Sequence, residues 1–203
     1  GLWNISGDVS AQDEAILASR TVLAAILFHL GVLVAFKLGA FLVLSILEME
    51  KDVTSSDSLA GLSKRSPMLA VAMFIFMLSL AGVPPLSGFL SKLLVLLGII
   101  KVAIANSADA SFLGMNLHWV WGLALAMGIN SAISVYYYLR VGVVMFFHEP
   151  AEGMDKELPR GTMIRFSVAI CVILTVVLGV YGEFLLDVCR SAADYLMPMM
   201  RGL

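Results

Sequence analysis

Lys92 lies inside an apolar stretch that continues as Leu93 to Ile100. An ammonium at the centre of a membrane helix costs on the order of 3 kcal/mol on insertion scales. Lys101, at the end of the stretch, is placed to snorkel to the interface, whereas Lys92 sits well inside it. A lysine held at that depth can take up and release a proton within a cycle. An earlier apolar stretch holds His29 and Lys37. Eight residues of helix separate them, about 80° around the axis and roughly 12 Å along it, so both can face one hydrated seam. Histidine titrates near neutral pH, although His29 also suits a hydrogen-bonded packing role between helices. Lys92, Lys37 and His29 are therefore the candidate proton-transfer residues.

The sequence just before Lys92 sets up its surroundings. Pro84 and Pro85 lack the backbone N–H and clash with a preceding helical turn, and Gly82 and Gly88 loosen the backbone on either side. The segment Gly82 to Gly88 should break a helix within the membrane. Non-helical backbone at that depth is tolerated only where protein buries it or a wet cavity adjoins it, and transporters place ion sites at such breaks. A kink used only for packing is the alternative.

These residues must be carried by membrane-spanning helices. The chain has 203 residues, 60% of them hydrophobic and 14% charged, with a mean hydropathy of +0.95. A soluble protein could not hide so much apolar surface. A span needs about 20 apolar residues, which predicts an all-α membrane protein with four transmembrane helices, the second discontinuous. We set the spans at 21–47, 68–100 (broken), 117–147 and 166–187. A loop precedes them over 1–20, connections fill 48–67, 101–116 and 148–165, and an interfacial tail covers 188–203. The first and third connections carry Lys51, Lys64, Arg65, Lys156, Arg160 and Arg165, against Arg20, Lys101, Arg190 and Arg201 on the other side. That bias places those connections in the cytoplasm and both chain ends outside. The opening residues lack the basic start and apolar core of a signal peptide and read as a loop from within something longer.

The remaining polar residues suggest structure more than chemistry. Asn130, Ser131 and Ser134 suit helix–helix hydrogen bonds, Tyr136, Tyr137, Tyr138 and Arg140 an interfacial belt, and Glu183 and Asp187 the outer interface. Cys171 and Cys189 have neither metal-ligand spacing nor a disulfide framework. The sequence contains no phosphate-binding glycine loop, CxxC pair or HExxH, and no basic tract for nucleic acid. Any redox chemistry must take place elsewhere.

Four stretches together carry a resemblance. They are Gly61–Pro67 (GLSKRSP), Leu78–Lys92 (LSLAGVPPLSGFLSK), Tyr136–Val141 (YYYLRV) and Phe147–Pro150 (FHEP). With Leu38-Gly39-Ala40-Phe41, they closely resemble the subunit N family of NADH-quinone oxidoreductase, respiratory complex I, whose mitochondrial relative is the ND2-type subunit. The resemblance covers nearly the whole chain but only the C-terminal part of a fourteen-helix family plan. It implies that Gly82 to Gly88 is the break in the second of two inverted repeats and that Lys92 matches the family's proton-channel lysine. Lys37 rests on the physical argument alone.

The resemblance further implies a membrane-arm subunit that couples quinone reduction to proton transport without a cofactor of its own. NADH, flavin, iron–sulfur clusters and quinone would be bound by other subunits. Expected partners are neighbouring antiporter-like subunits, lipids, and a chain or further length of chain that supplies the N-terminal half. The expected location is a bacterial inner membrane, ahead of an organelle membrane. The GVPPLSGF stretch also resembles the D-type subunit of multisubunit cation/proton antiporters, whereas YYYLRV and FHEP favour subunit N.

Overall fold

The computed structural model describes residues 11–48, 59–105, 119–150 and 162–201. The expected loop residues 1–10 and most of the three expected connections lie outside the described residues. The described elements are all helical: α1 (Ala11–Glu48), α2 (Leu62–Arg65), α3 (Pro67–Ala81), α4 (Ser87–Ala105), α5 (Trp119–Phe147), α6 (Thr162–Val180) and α7 (Glu183–Arg201). Among the described residues, four stretches are long and apolar enough to cross a membrane: Ile16–Glu48, Ser87–Ile104, Val120–Phe147 and Thr162–Val180. The chain is a membrane protein, and its second expected span is split into α3 and α4.

Helix ends differ from the sequence expectation in several places, among them α4, which continues to Ala105, and α6, which starts at Thr162. Helix α1 begins at Ala11, inside the expected loop. Its first turns, Ala-Gln-Asp-Glu-Ala-Ile-Leu-Ala-Ser-Arg, are too polar for lipid but contain mostly good helix formers. Low hydropathy there marks the end of the apolar stretch and not the end of the helix. A short helix, α2, occupies part of the first expected connection. The last span stops at Val180, and α7 starts afresh at Glu183 after a bend at Tyr181-Gly182. Glu183, Asp187, Arg190 and Asp194 recur on α7 at three- and four-residue spacing, which is one face of an amphipathic helix. Cys189 is buried on α7, and burial pushes its thiol above the ordinary value, consistent with packing.

The helices fall into two compact units, one of Gly1–His29, Ser91–Asn130 and Glu183–Leu203 and the other of Leu30–Leu90 and Ser131–Gly182. In the second unit α3 packs against α6. A side chain at Gly39 of α1 would collide with the Phe76 ring of α3, and one at Gly142 of α5 would collide with Phe74. Phe74 also meets Phe146 edge to face, with ring centroids 5.5 Å apart. In the first unit, Phe28 of α1 and Ala103 of α4 are fully buried, and Gly98 lets α4 approach the backbone at Val22.

Two of the motifs that carried the resemblance meet in the second unit. Lys64 Nζ donates to both carboxylate oxygens of Glu149 at 2.6 Å. Gly61, at φ 64°, donates its N–H to the Val144 carbonyl at 3.4 Å and lies against Pro150. The ion pair is well exposed, so Glu149→Gln should change stability by less than about 1 kcal/mol. Gly61→Val forces a branched residue into the left-handed region, which costs about 1–3 kcal/mol, and drives its Cβ into Pro150. Melting of the purified assembly should therefore separate the two variants clearly. Equal melting temperatures would show that this junction carries no constraint.

Candidate functional site

The break between α3 and α4 is built by a glycine turn, with the prolines following it. Gly82 takes φ 86° and ψ 44° at the end of α3. Its N–H donates to the carbonyls of Leu78 and Ser79, and the Val83 N–H donates to Leu78 at 3.0 Å. This is the Schellman pattern, which satisfies carbonyls at the end of a helix. Pro84 and Pro85 follow, joined by a cis peptide bond, where continued helix is impossible. Leu86 N–H returns to the Val83 carbonyl at 3.2 Å, and α4 opens as Phe89 N–H donates to Leu86 at 3.1 Å.

Gly88 does more than loosen the chain. Its N–H, one of the donors left over at a helix start, donates to Ser79 Oγ at 3.1 Å. A Cβ at Gly88 would run into the Ser79 carbonyl. The end of α3 and the start of α4 are therefore clasped backbone to backbone. Helix α6 closes on the same place: a Cβ at Gly179 would collide with the Pro85 carbonyl and the Ser87 N–H. The end of the break, Leu86 to Gly88, is thus buried in protein, while Pro84 and Pro85 are exposed, and non-helical backbone at membrane depth needs such cover or a wet cavity.

The serines around the break are the residues that sequence reasoning passed over. Ser79, Ser87 and Ser91 are all completely buried. Ser87 and Ser91 lie one turn apart on one face of α4, and the Ser87 hydroxyl has no hydrogen-bond partner among the described residues. Ser91 Oγ meets His29 Nδ1 at 2.9 Å. The available signal was a hydroxyl recurring at i and i+4 immediately before the buried lysine.

Of the candidate proton-transfer residues, the structure joins His29 to Ser91, the neighbour of Lys92 in α4. Lys92 is half-buried. Lys37 belongs to the other compact unit. It lies exposed on α1, beside the exposed Val34, Leu38 and Phe41. Val32, Ala35, Phe36 and Ala40 are buried on the packed side of α1, and Lys37 lies off that side. The arrangement can hold a histidine in a fixed orientation through a hydroxyl beside a lysine on a helix that starts at membrane depth. Ser91→Ala should remove that hold, destabilise the assembly by about 1 kcal/mol, and slow proton transfer, while Ser91→Thr keeps the hydroxyl and should preserve both. Proton-uptake rates in vesicles would check this, and equal rates for Ala and Thr would exclude a role for the hydroxyl.

The chain is similar to known proteins over most of its length. The family described as NADH:quinone oxidoreductase/Mrp antiporter, TM, matches residues 14–117. NADH-quinone oxidoreductase subunit N of Paramagnetospirillum magneticum is 34% identical over 85% of this chain and 32% of its own length. The protein of the same name from Anoxybacillus flavithermus is 37% identical over 89% and 31%, and that from Chloroflexus aggregans 40% over 76% and 28%. The chain spans about a third of the length of these curated relatives. Among solved structures, a chain of respiratory complex I from Thermus thermophilus with bound aureothin matches with a TM-score of 0.63 and 29% identity, covering 86% of this chain and 36% of that one.

Proposed function

Because the chain belongs to the NADH:quinone oxidoreductase/Mrp antiporter transmembrane family, we propose that it is the C-terminal part of a proton-translocating membrane-arm subunit of NADH:quinone oxidoreductase. The observation that carries this reading is the clasped helix break, with Lys92 one turn into α4 and His29 tethered to the adjacent Ser91. Lys92 is the proton carrier in this reading. His29 passes protons to or from it, with Ser91 holding the imidazole in place. Lys37 contributes charge or a proton only where another segment covers its exposed face of α1.

A lysine that alternates between charged and neutral responds to charge placed near it. Reduction of quinone in other subunits would change that charge and so drive loading and release. NADH, flavin, iron–sulfur clusters and quinone are bound by those subunits and not by this chain. The first repeat comes from the rest of the family length, on this polypeptide or on another. Neighbouring antiporter-like subunits pack alongside. The bacterial relatives support an inner-membrane location.

The test is purification through a tag on this chain under mild detergent. The expected result is co-elution with NADH:quinone reductase activity, and proton uptake by reconstituted vesicles when NADH is supplied. Sodium-dependent proton exchange without any NADH-oxidising partner would overturn the reading in favour of a cation/proton antiporter.

A further inference from the structure

A second polar site lies in the unit formed by the N-terminal part of α1, most of α4 and α7. There a cleft of about 320 Å³ is lined by Arg20, Lys101, Arg190 and Asp194, with Leu94 and Leu186 among its apolar walls. We propose that this cleft binds an anionic phospholipid, with the phosphate at the three cations and the first methylenes of an acyl chain along the leucines.

The charge balance favours an anion. Arg20 pairs with Asp194 at 3.3 Å and Arg190 with Asp187 at 2.8 Å, while Lys101 forms no ion pair among the described residues. Three cations against two carboxylates leave one positive charge in excess. Each arginine has donors beyond those its carboxylate uses, since a guanidinium carries five N–H groups. Arg20 Nε is buried and finds no hydrogen-bond partner among the described residues. A donor left in this way is costly unless a ligand supplies the acceptor, and a phosphodiester oxygen supplies one.

The site also lies at the right level for a headgroup. Arg20 stands early in the apolar part of α1, Lys101 near the end of α4, and Arg190 on the amphipathic α7. Lys and Arg near a membrane surface attract anionic headgroups by about 1 kcal/mol each. Free inorganic phosphate would satisfy the cations equally but gains nothing from Leu94 and Leu186, so the apolar walls select the lipid. The volume is at the lower end for ligand cavities, suited to a headgroup and the root of a chain.

The experiment uses the whole purified assembly, reconstituted in phosphatidylcholine vesicles containing a minor fraction of phosphatidylglycerol with a photoactivatable diazirine in its acyl chain. After illumination, labelled peptides of this chain are sequenced. Label is expected on the α4 and α7 peptides that carry Leu94 and Leu186. It should fall about tenfold or more in the double variant Lys101→Gln, Arg190→Gln, given the contribution of each basic residue near an anionic headgroup. Asp194→Asn should raise it. Diazirine-bearing phosphatidylcholine should label these peptides only at background, and added inorganic phosphate should leave the signal unchanged. Should the double variant fail to assemble, Lys101→Gln alone is read, since that side chain is exposed and outside the ion pairs; a severalfold fall is expected. Equal labelling by both lipids, labelling insensitive to the charge variants, or displacement by inorganic phosphate would each overturn the proposal.

Discussion

Lys92→Met is expected to close proton passage through this subunit while leaving NADH oxidation by artificial electron acceptors at its normal rate. A positioned acid–base group contributes about 10²–10⁴-fold to a proton transfer, and methionine replaces it with similar length and no titratable atom. Its size fits the half-buried position on α4, so assembly should survive and the loss can be assigned to chemistry. The readout is acidification of inverted vesicles per NADH oxidised. Lys92→Arg is the more informative partner. It keeps the positive charge, but a guanidinium hardly ever gives up its proton. If Lys92 carries protons, Arg fails as Met does. If Lys92 acts as a fixed charge, Arg restores pumping. Normal pumping by the Met variant would remove Lys92 from the path altogether.

Lys37 gives a useful contrast under the same assay. It is exposed on α1 and forms no hydrogen bond or ion pair among the described residues. The cost argument that singled it out from sequence applies equally to Lys92, yet packing treats the two residues differently.

That difference marks what the sequence could and could not disclose. The spans were legible because lipid imposes a composition on them, and the break was legible because paired prolines cannot remain inside a regular helix. The geometry that ends α3 was less legible. Proline attracts attention by what it forbids, but the chain has already turned at Gly82, where a positive φ and the Leu78 and Ser79 carbonyls complete the cap. Helix ends outside lipid were poorly placed for a related reason. Hydropathy reports solvent and not hydrogen bonding, so α1 could extend back to Ala11 and α7 could form as a separate helix without any apolar signal. The pairing of His29 with Ser91 joins residues 62 positions apart in sequence. No spacing rule within one helix reaches that far, and only the packing of α1 against α4 in their shared unit brings the two side chains together.

Gly88→Ala is expected to damage the assembly far more than its single methyl group suggests. The added Cβ would meet the Ser79 carbonyl carbon and oxygen, and backbone cannot swing aside as a flexible side chain can. Relief requires α4 to lift away from α3. That movement would stretch the buried Gly88 N–H bond to Ser79 Oγ. Overpacking of this kind costs about 1–3 kcal/mol, and weakening a buried hydrogen bond adds about 1 kcal/mol more. Gly128→Ala is the internal control. That glycine lies on an exposed part of α5 with nothing within 4 Å of a new Cβ, and alanine should favour the helix there by up to about 1 kcal/mol. The two changes are chemically identical and should shift the melting temperature of the assembly in opposite directions. Gly88 also lies one turn before Lys92, so any Gly88→Ala assembly that survives should pump poorly because the lysine has been displaced. An alanine at Gly88 that melts and pumps like the unmodified protein would show that α3 and α4 are not clasped at this point, and would leave Lys92 without the fixed position that proton transfer requires.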